Sequence, residues 1–208
     1  MEQVLDVYQR PYDPRFPVIC MDESNKQLIG DVQQPLPLKA GQAQKVDCNY
    51  ERHGTGNLFI AFEPACGQRD VQVTEQRTRQ DWARYVKHIV DDVCPLAERV
   101  TLVCDQLNTH TLASLYETFA AEEAHRLARK LELIHTPKHG SWLNMAEIEF
   151  SALSRQCLDR RIADIALLAR EVAAWANDRN QHGTTVHWRF TTADARIKLV
   201  SLYPKALP

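Results

Sequence analysis

Two runs of β-type residues in this chain each stop on an aspartate: Val18-Ile19-Cys20-Met21-Asp22 and Val100-Thr101-Leu102-Val103-Cys104-Asp105. Short, nearly continuous apolar runs of this kind suit strands buried on both faces, as in a parallel sheet covered by helices. In an open α/β sheet the residues just beyond such strand ends line the crevice where ligands bind. These runs therefore constrain the fold and also place two acids beside one crevice.

The rest of the chain alternates around them. Segments 57–62 and 70–74 read as further strands. Residues 78–93 read as a helix, because Trp82, Tyr85, Val86, Ile89, Val90 and Val93 recur at spacings of three and four before Pro95 stops the pattern. Residues 111–130 read as two helices broken near Ala120, and Leu131-Glu132-Leu133-Ile134-His135 as a strand closed by Thr136-Pro137. Helices follow from about 144 to 157 and 165 to 180, and a short one begins at Thr191 or Thr192 as N-cap. Residues 30–44, with two prolines and two glycines, read as a loop. The expected fold class is α/β, a ribonuclease-H-like mixed sheet flanked by helices. The expected division is an irregular arm over 1–16, a catalytic domain over 17–185 and a tail with a short helix over 186–208.

Composition narrows the function classes. Lys+Arg number 25 against 27 Asp+Glu, a formal net charge of −2, which argues against a protein that coats nucleic acid by bulk charge. The six cysteines contain no C-x-x-C pair and read as reduced, packed thiols. Met1-Glu2-Gln3-Val4-Leu5-Asp6 lacks the apolar stretch of a secretory signal, and no apolar run approaches the ~20 residues of a membrane span, so a cytoplasmic chain is expected.

Two acids in one crevice repel each other, so a site holding Asp22 and Asp105 together calls for cations between them. Hard oxygen ligands favour Mg²⁺ or Mn²⁺, and a third carboxylate would complete a two-metal site for phosphodiester chemistry. Glu147 and Glu149 are the candidates for that third acid. A two-residue step turns a helix by about 200°, so they cannot serve together. Glu149 falls within the apolar arc of Met145, Ala146, Ile148, Leu153 and Cys157, whereas Glu147 falls with Ser151 and Ser154. Periodicity alone leaves the choice open.

Three blocks in order, Val18-Ile19-Cys20-Met21-Asp22-Glu23, then Leu102-Val103-Cys104-Asp105-Gln106-Leu107-Asn108-Thr109-His110, then the segment from His135 to Glu147, closely resemble the D-D-E catalytic blocks of bacterial insertion-sequence transposases related to the mariner-like transposons. The likeness runs over roughly residues 17–200. In that family the last acid follows a Leu-Asn-x-x pattern, which lands on Glu147. The resemblance implies catalytic and metal-binding roles for Asp22, Asp105 and Glu147, two Mg²⁺ ions replaceable by Mn²⁺, and cleavage of transposon ends followed by strand transfer. It also implies DNA as partner, a homodimer, and a helix-turn-helix recognition region, so that the chain would be either a catalytic fragment or one whose DNA-binding half is supplied separately. The chain departs from the family at Gln106, where Asn is common, and in a longer interval between Asp105 and Glu147. A catalytically silent remnant that binds DNA or protein, or a structure-selective nuclease of the same fold, would share these residues.

Lys138 and His139, in the loop entering the presumed site, are expected to touch phosphate, and His110 is expected to reach the site or a phosphate. Trp142 is expected to anchor that loop. His135 and His139 flank Pro137, which breaks any helix and with it a helical metal pair. Gly54-Thr55-Gly56-Asn57 reads as a turn rather than a nucleotide loop.

Overall fold

The computed structural model describes residues 1–33, 36, 40–41 and 47–203. Most of the expected loop at 30–44, including Pro35 and Pro37, lies outside them. Five strands, β1 (Val18–Asp31), β2 (Tyr50–Glu63), β3 (Gln68–Thr74), β4 (Val100–Cys104) and β5 (Leu131–His135), form one sheet in the order β3-β2-β1-β4-β5. The pairs β1–β2 and β2–β3 are antiparallel, and β1–β4 and β4–β5 are parallel. This is the ribonuclease-H-like mixed sheet expected from the element order.

Strand alternation splits the interior into two cores. Cys20, Leu58, Ile60, Phe62, Val103 and Ile134 face one side, covered by α1 (Glu2–Tyr8), α5 (Ala146–Leu153), α6 (Ile165–His182) and α7 (Thr192–Lys198). Ile19, Met21, Phe59, Ala61, Leu102 and Leu131 face the other, covered by α2 (Arg79–His88), α3 (Leu112–Thr118) and α4 (Ala121–Lys130). All five residues of β4 are buried, as an inner parallel strand demands. α2 opens on a Thr78–Asp81 capping box and widens into a π-type turn over Ile89–Val93 before Pro95.

Two local expectations are corrected. The stretch 1–16 is not wholly irregular: α1 buries Val4, Leu5 and Val7. A helix of under two turns has no stability of its own and shows too little periodicity to be read locally. Here the partners are distant in sequence, since Tyr8 Oη donates to the Leu143 carbonyl at 2.7 Å and Arg196 of α7 grips Glu2 through two bonds of 2.7 and 2.9 Å. Nor does β1 stop at Asp22. Its parallel ladder with β4 ends at Cys20–Val103, but its antiparallel ladder with β2 carries on to Asp31. Asp22 thus sits mid-strand, at the point where β1 parts from β4.

The β2–β3 turn is fitted against the end of α6. Gly67 has φ +69°, and a Cβ there would lie 2.7 Å from the Thr184 carbonyl. Gly67→Ala should therefore cost about 1–3 kcal/mol through strain plus collision, against about 1 kcal/mol for Gly54→Ala. Gly54 also has positive φ but faces open space. Urea midpoints give the comparison, and equal losses at the two sites would show that the turn is not held by α6.

Candidate active site

Three elements bring the predicted acids to one end of the sheet. Asp22 comes from mid-β1, Asp105 is the first residue past β4, and Glu147 lies in the first turn of α5. Asp22 is buried and its neighbours fix it: Oδ1 accepts from the Glu23 amide at 2.8 Å, and Asn144 Nδ2 lies 3.3 Å from Oδ2. The same Asn144 amide donates to the Met21 carbonyl at 2.8 Å, while its oxygen accepts from the Ala146 amide at 3.2 Å. One buried side chain therefore stitches β1 to the start of α5. It is part of the Leu-Asn-x-x pattern, yet nothing local marks it as a positioning group.

Burial, chiefly, pushes the Asp22 carboxyl up to about 7, and the charges of Glu147 and Asp105 push in the same direction. Asp105 behaves in the opposite way. Burial raises it, but the hydrogen bond and charge of His110 outweigh burial and hold it below the usual carboxylate range. Burial alone would lower the His110 imidazole, yet its bonds to Asp105, Cys104 and Glu23 push it up to about 12.

The choice between the two glutamates is structural. Glu147 is exposed, on the side of α5 that carries Ile148 and Ser151. Glu149 is 0% exposed and engaged by two guanidiniums. Arg179 of α6 donates to it through bonds of 3.1 and 2.9 Å, and Arg69 Nε of β3 lies 2.9 Å from Oε2. Glu149 is thus the inward acid that the helix wheel indicated, and it serves to tie α5 to α6 and β3.

His110 requires a correction. It is 0% exposed, so it cannot present itself to a phosphate, and it instead spans Glu23 and Asp105 beneath the crevice. Lys138 and His139 are exposed and border a groove of ≈ 350 Å³ that Asp105, Gln106, Leu107 and Ser141 also line. His139 takes a left-handed φ of 62°, which turns the loop sharply there. Trp142 anchors the loop through the tail, stacking on Trp188 at 6.4 Å with Phe190 edge-on at 6.3 Å. His135 gives its Nε2 to the His110 carbonyl at 2.9 Å.

Three hard carboxylates, one of them pushed up to about 7 chiefly by burial and then by the charges of the other two, are the donor chemistry of a divalent oxygen-seeking cation. Among the described residues no three His, Cys, Asp or Glu side chains stand close enough together to hold a metal ion as they are. Also among the described residues, no helix is long and apolar enough to cross a membrane.

A family model described as DDE superfamily endonuclease matches residues 17–168. Among solved structures of similar fold are the Mos1 transposase paired-end complex with the left transposon end (TM-score 0.57, 11% identity) and the Mos1 mariner paired-end complex with Mn (TM-score 0.56, 12% identity). The Mos1 strand transfer complex is a third (TM-score 0.57, 12% identity). Each likeness covers 88% of this chain and 55% of the other, so the chain spans little more than half the length of those proteins. At such identities the likeness is one of fold. No curated protein matches the chain.

Proposed function

The chain belongs to the DDE superfamily endonucleases, and from that premise we propose that it is a transposase catalytic domain that cuts transposon-end DNA and joins the cut strand to a target. The observation that carries this reading is the meeting of three acids at one end of the sheet, from β1, from the end of β4 and from the first turn of α5, and the electrostatics of Asp22 agree with it. Asp22 is pushed up to about 7 by burial and by the charges of Glu147 and Asp105, a penalty that a bound cation would turn into an attraction.

In this reading Asp22, Asp105 and Glu147 hold two Mg²⁺ ions, for which Mn²⁺ can substitute. When bound, such ions supply Lewis-acid activation of a water or DNA 3′-hydroxyl and neutralise charge at the phosphodiester. The protein's own groups do the positioning. Asn144 orients Asp22 and ties it to the helix that bears Glu147. His110 fixes Asp105 from below. Lys138 and His139 border the adjoining groove, where they would meet DNA phosphates. No side chain need serve as nucleophile. The partners are transposon-end and target DNA, a second copy of the chain, and a helix-turn-helix region for end recognition. The site of action is the cytoplasm.

The test is a nicking and joining assay on a plasmid that carries the terminal repeats flanking the coding sequence. With Mg²⁺ or Mn²⁺ we expect nicked and joined products, none in EDTA, and none from folded Asp105→Asn. Cutting without joining would identify a structure-selective nuclease. Activity in EDTA, or in Asp105→Asn, would overturn the mechanism.

A further inference from the structure

Adjacent residues of β1 point to opposite faces. Asp22 faces the α5 side with Cys20, so Glu23 turns to the α2 side with Ile19 and Met21. There its side chain, 3% exposed, meets His110, which is 0% exposed. His110 Nε2 lies 2.9 Å from Glu23 Oε1, and His110 Nδ1 lies 2.7 Å from Asp105 Oδ1. The ring stacks on Trp82 at 5.6 Å, and its backbone carbonyl accepts from His135 at 2.9 Å. A ring set between two carboxylates satisfies both only if each nitrogen donates a proton.

We propose that Glu23 and His110 form a positioning pair in which Glu23 fixes the imidazole and the imidazole holds Asp105 in a single orientation at the crevice. β1 then contributes twice to the site, through Asp22 directly and through Glu23 by way of His110. Neither member of the pair touches DNA or cation. Each acts by removing the freedom that a half-exposed aspartate at a strand end would otherwise have. Both nitrogens are needed, because a ring held at Nδ1 alone could turn about its own axis and release Asp105.

The inference rests on the metal-dependent reading above, and the experiment separates the two. Full-length wild type, Glu23→Ala, Glu23→Gln and Asp22→Asn are compared by Mn²⁺ calorimetry, by strand-cleavage kinetics, and by imidazole ¹H–¹⁵N resonances of the metal-free protein. In wild type both His110 ring protons should be protected from solvent exchange. Glu23→Ala should lose the Nε2 proton signal and bind Mn²⁺ about 10–100-fold more weakly, lowering kcat with little change in KM for DNA. Glu23→Gln, which still accepts from Nε2, should recover most of both. A merely structural Glu23 would lower the melting temperature and leave the Mn²⁺ affinity of the folded protein unmoved. That result, or an exchange-labile His110 in wild type, would overturn the proposal. Absence of Asp22-dependent Mn²⁺ binding in wild type would instead overturn the functional reading, and the metal-free resonances would still decide whether Glu23 holds the ring.

Discussion

Glu149→Ala is expected to destabilise the protein by about 3–5 kcal/mol, whereas Glu147→Ala, two residues earlier on the same helix, should leave the fold intact and abolish cleavage. The first effect follows from the company Glu149 keeps. Its carboxylate lies between Arg69, whose side chain is fully buried, and Arg179, which is 16% exposed. Arg69 is further committed to the Asn180 side chain at 3.1 Å and the Thr184 carbonyl at 2.9 Å, so it cannot swing out to water when its partner is removed. Removing the acid leaves one cation buried without an anion, and that desolvation loss sets the magnitude. Replacing all three members together by apolar residues of similar volume should cost far less, because the triad offsets its own desolvation without adding much beyond it. Glu147, by contrast, is exposed in the first turn of α5, and its loss removes one charge that burdens Asp22. Urea denaturation and the plasmid assay, run on both variants, give the answer. A Glu149→Ala protein as stable as wild type, or a Glu147→Ala protein that still cuts, would reverse the assignment.

That pair of glutamates also marks where sequence reasoning ends. The helix wheel turned Glu149 inward, correctly, because periodicity is a local property of α5. Its meaning depended on Arg69 and Arg179, which reach it from β3 and α6. Burial without sight of the partners looked equally like an active-site acid, and only the likeness to a family pattern favoured Glu147. The same reason hid the role of His110. Its place five residues past Asp105 suggested nearness to the site, but its second partner, Glu23, is 87 residues away across the sheet. The strands ending in Asp22 and Asp105 were legible because a short apolar run needs no distant information. Even so, the continuation of β1 to Asp31 was not, since residues 24–27 are polar and are held in the strand by pairing with 55–58 of β2. Patterns of burial are written locally, and partners are not.

Asp22→Asn should stabilise the metal-free protein at neutral pH while removing its response to metal. In the folded chain the Asp22 carboxyl is pushed from the ordinary 3.8 up to about 7, first by burial and then by Glu147 and Asp105. A raised carboxyl means that the folded state binds its proton more tightly than the unfolded state does. The stability this provides is complete below about pH 4 and is lost progressively as pH rises toward 7, where the native state must ionise a buried acid beside two others. At 1.36 kcal/mol per unit, the loss in wild type amounts to about 1–4 kcal/mol. Asparagine has no proton to lose, so the variant escapes that loss. It keeps an oxygen for the Glu23 amide, but it sets an amide nitrogen against Asn144 Nδ2, which trims the gain. In EDTA the stability difference between variant and wild type should therefore be near zero or slightly negative at pH 4 and grow steadily to pH 7.5. Taking the difference cancels the titrating groups remote from Asp22, and leaves its own titration together with its coupling to Glu147 and Asp105. Mn²⁺ should reverse the order at pH 7.5, because a cation at a hundred times its dissociation constant adds about 2.7 kcal/mol to wild type and little to the variant. A difference that stays constant with pH would show that Asp22 carries no such penalty in the folded chain. Equal stabilisation of both proteins by Mn²⁺ would place the cation somewhere other than on Asp22.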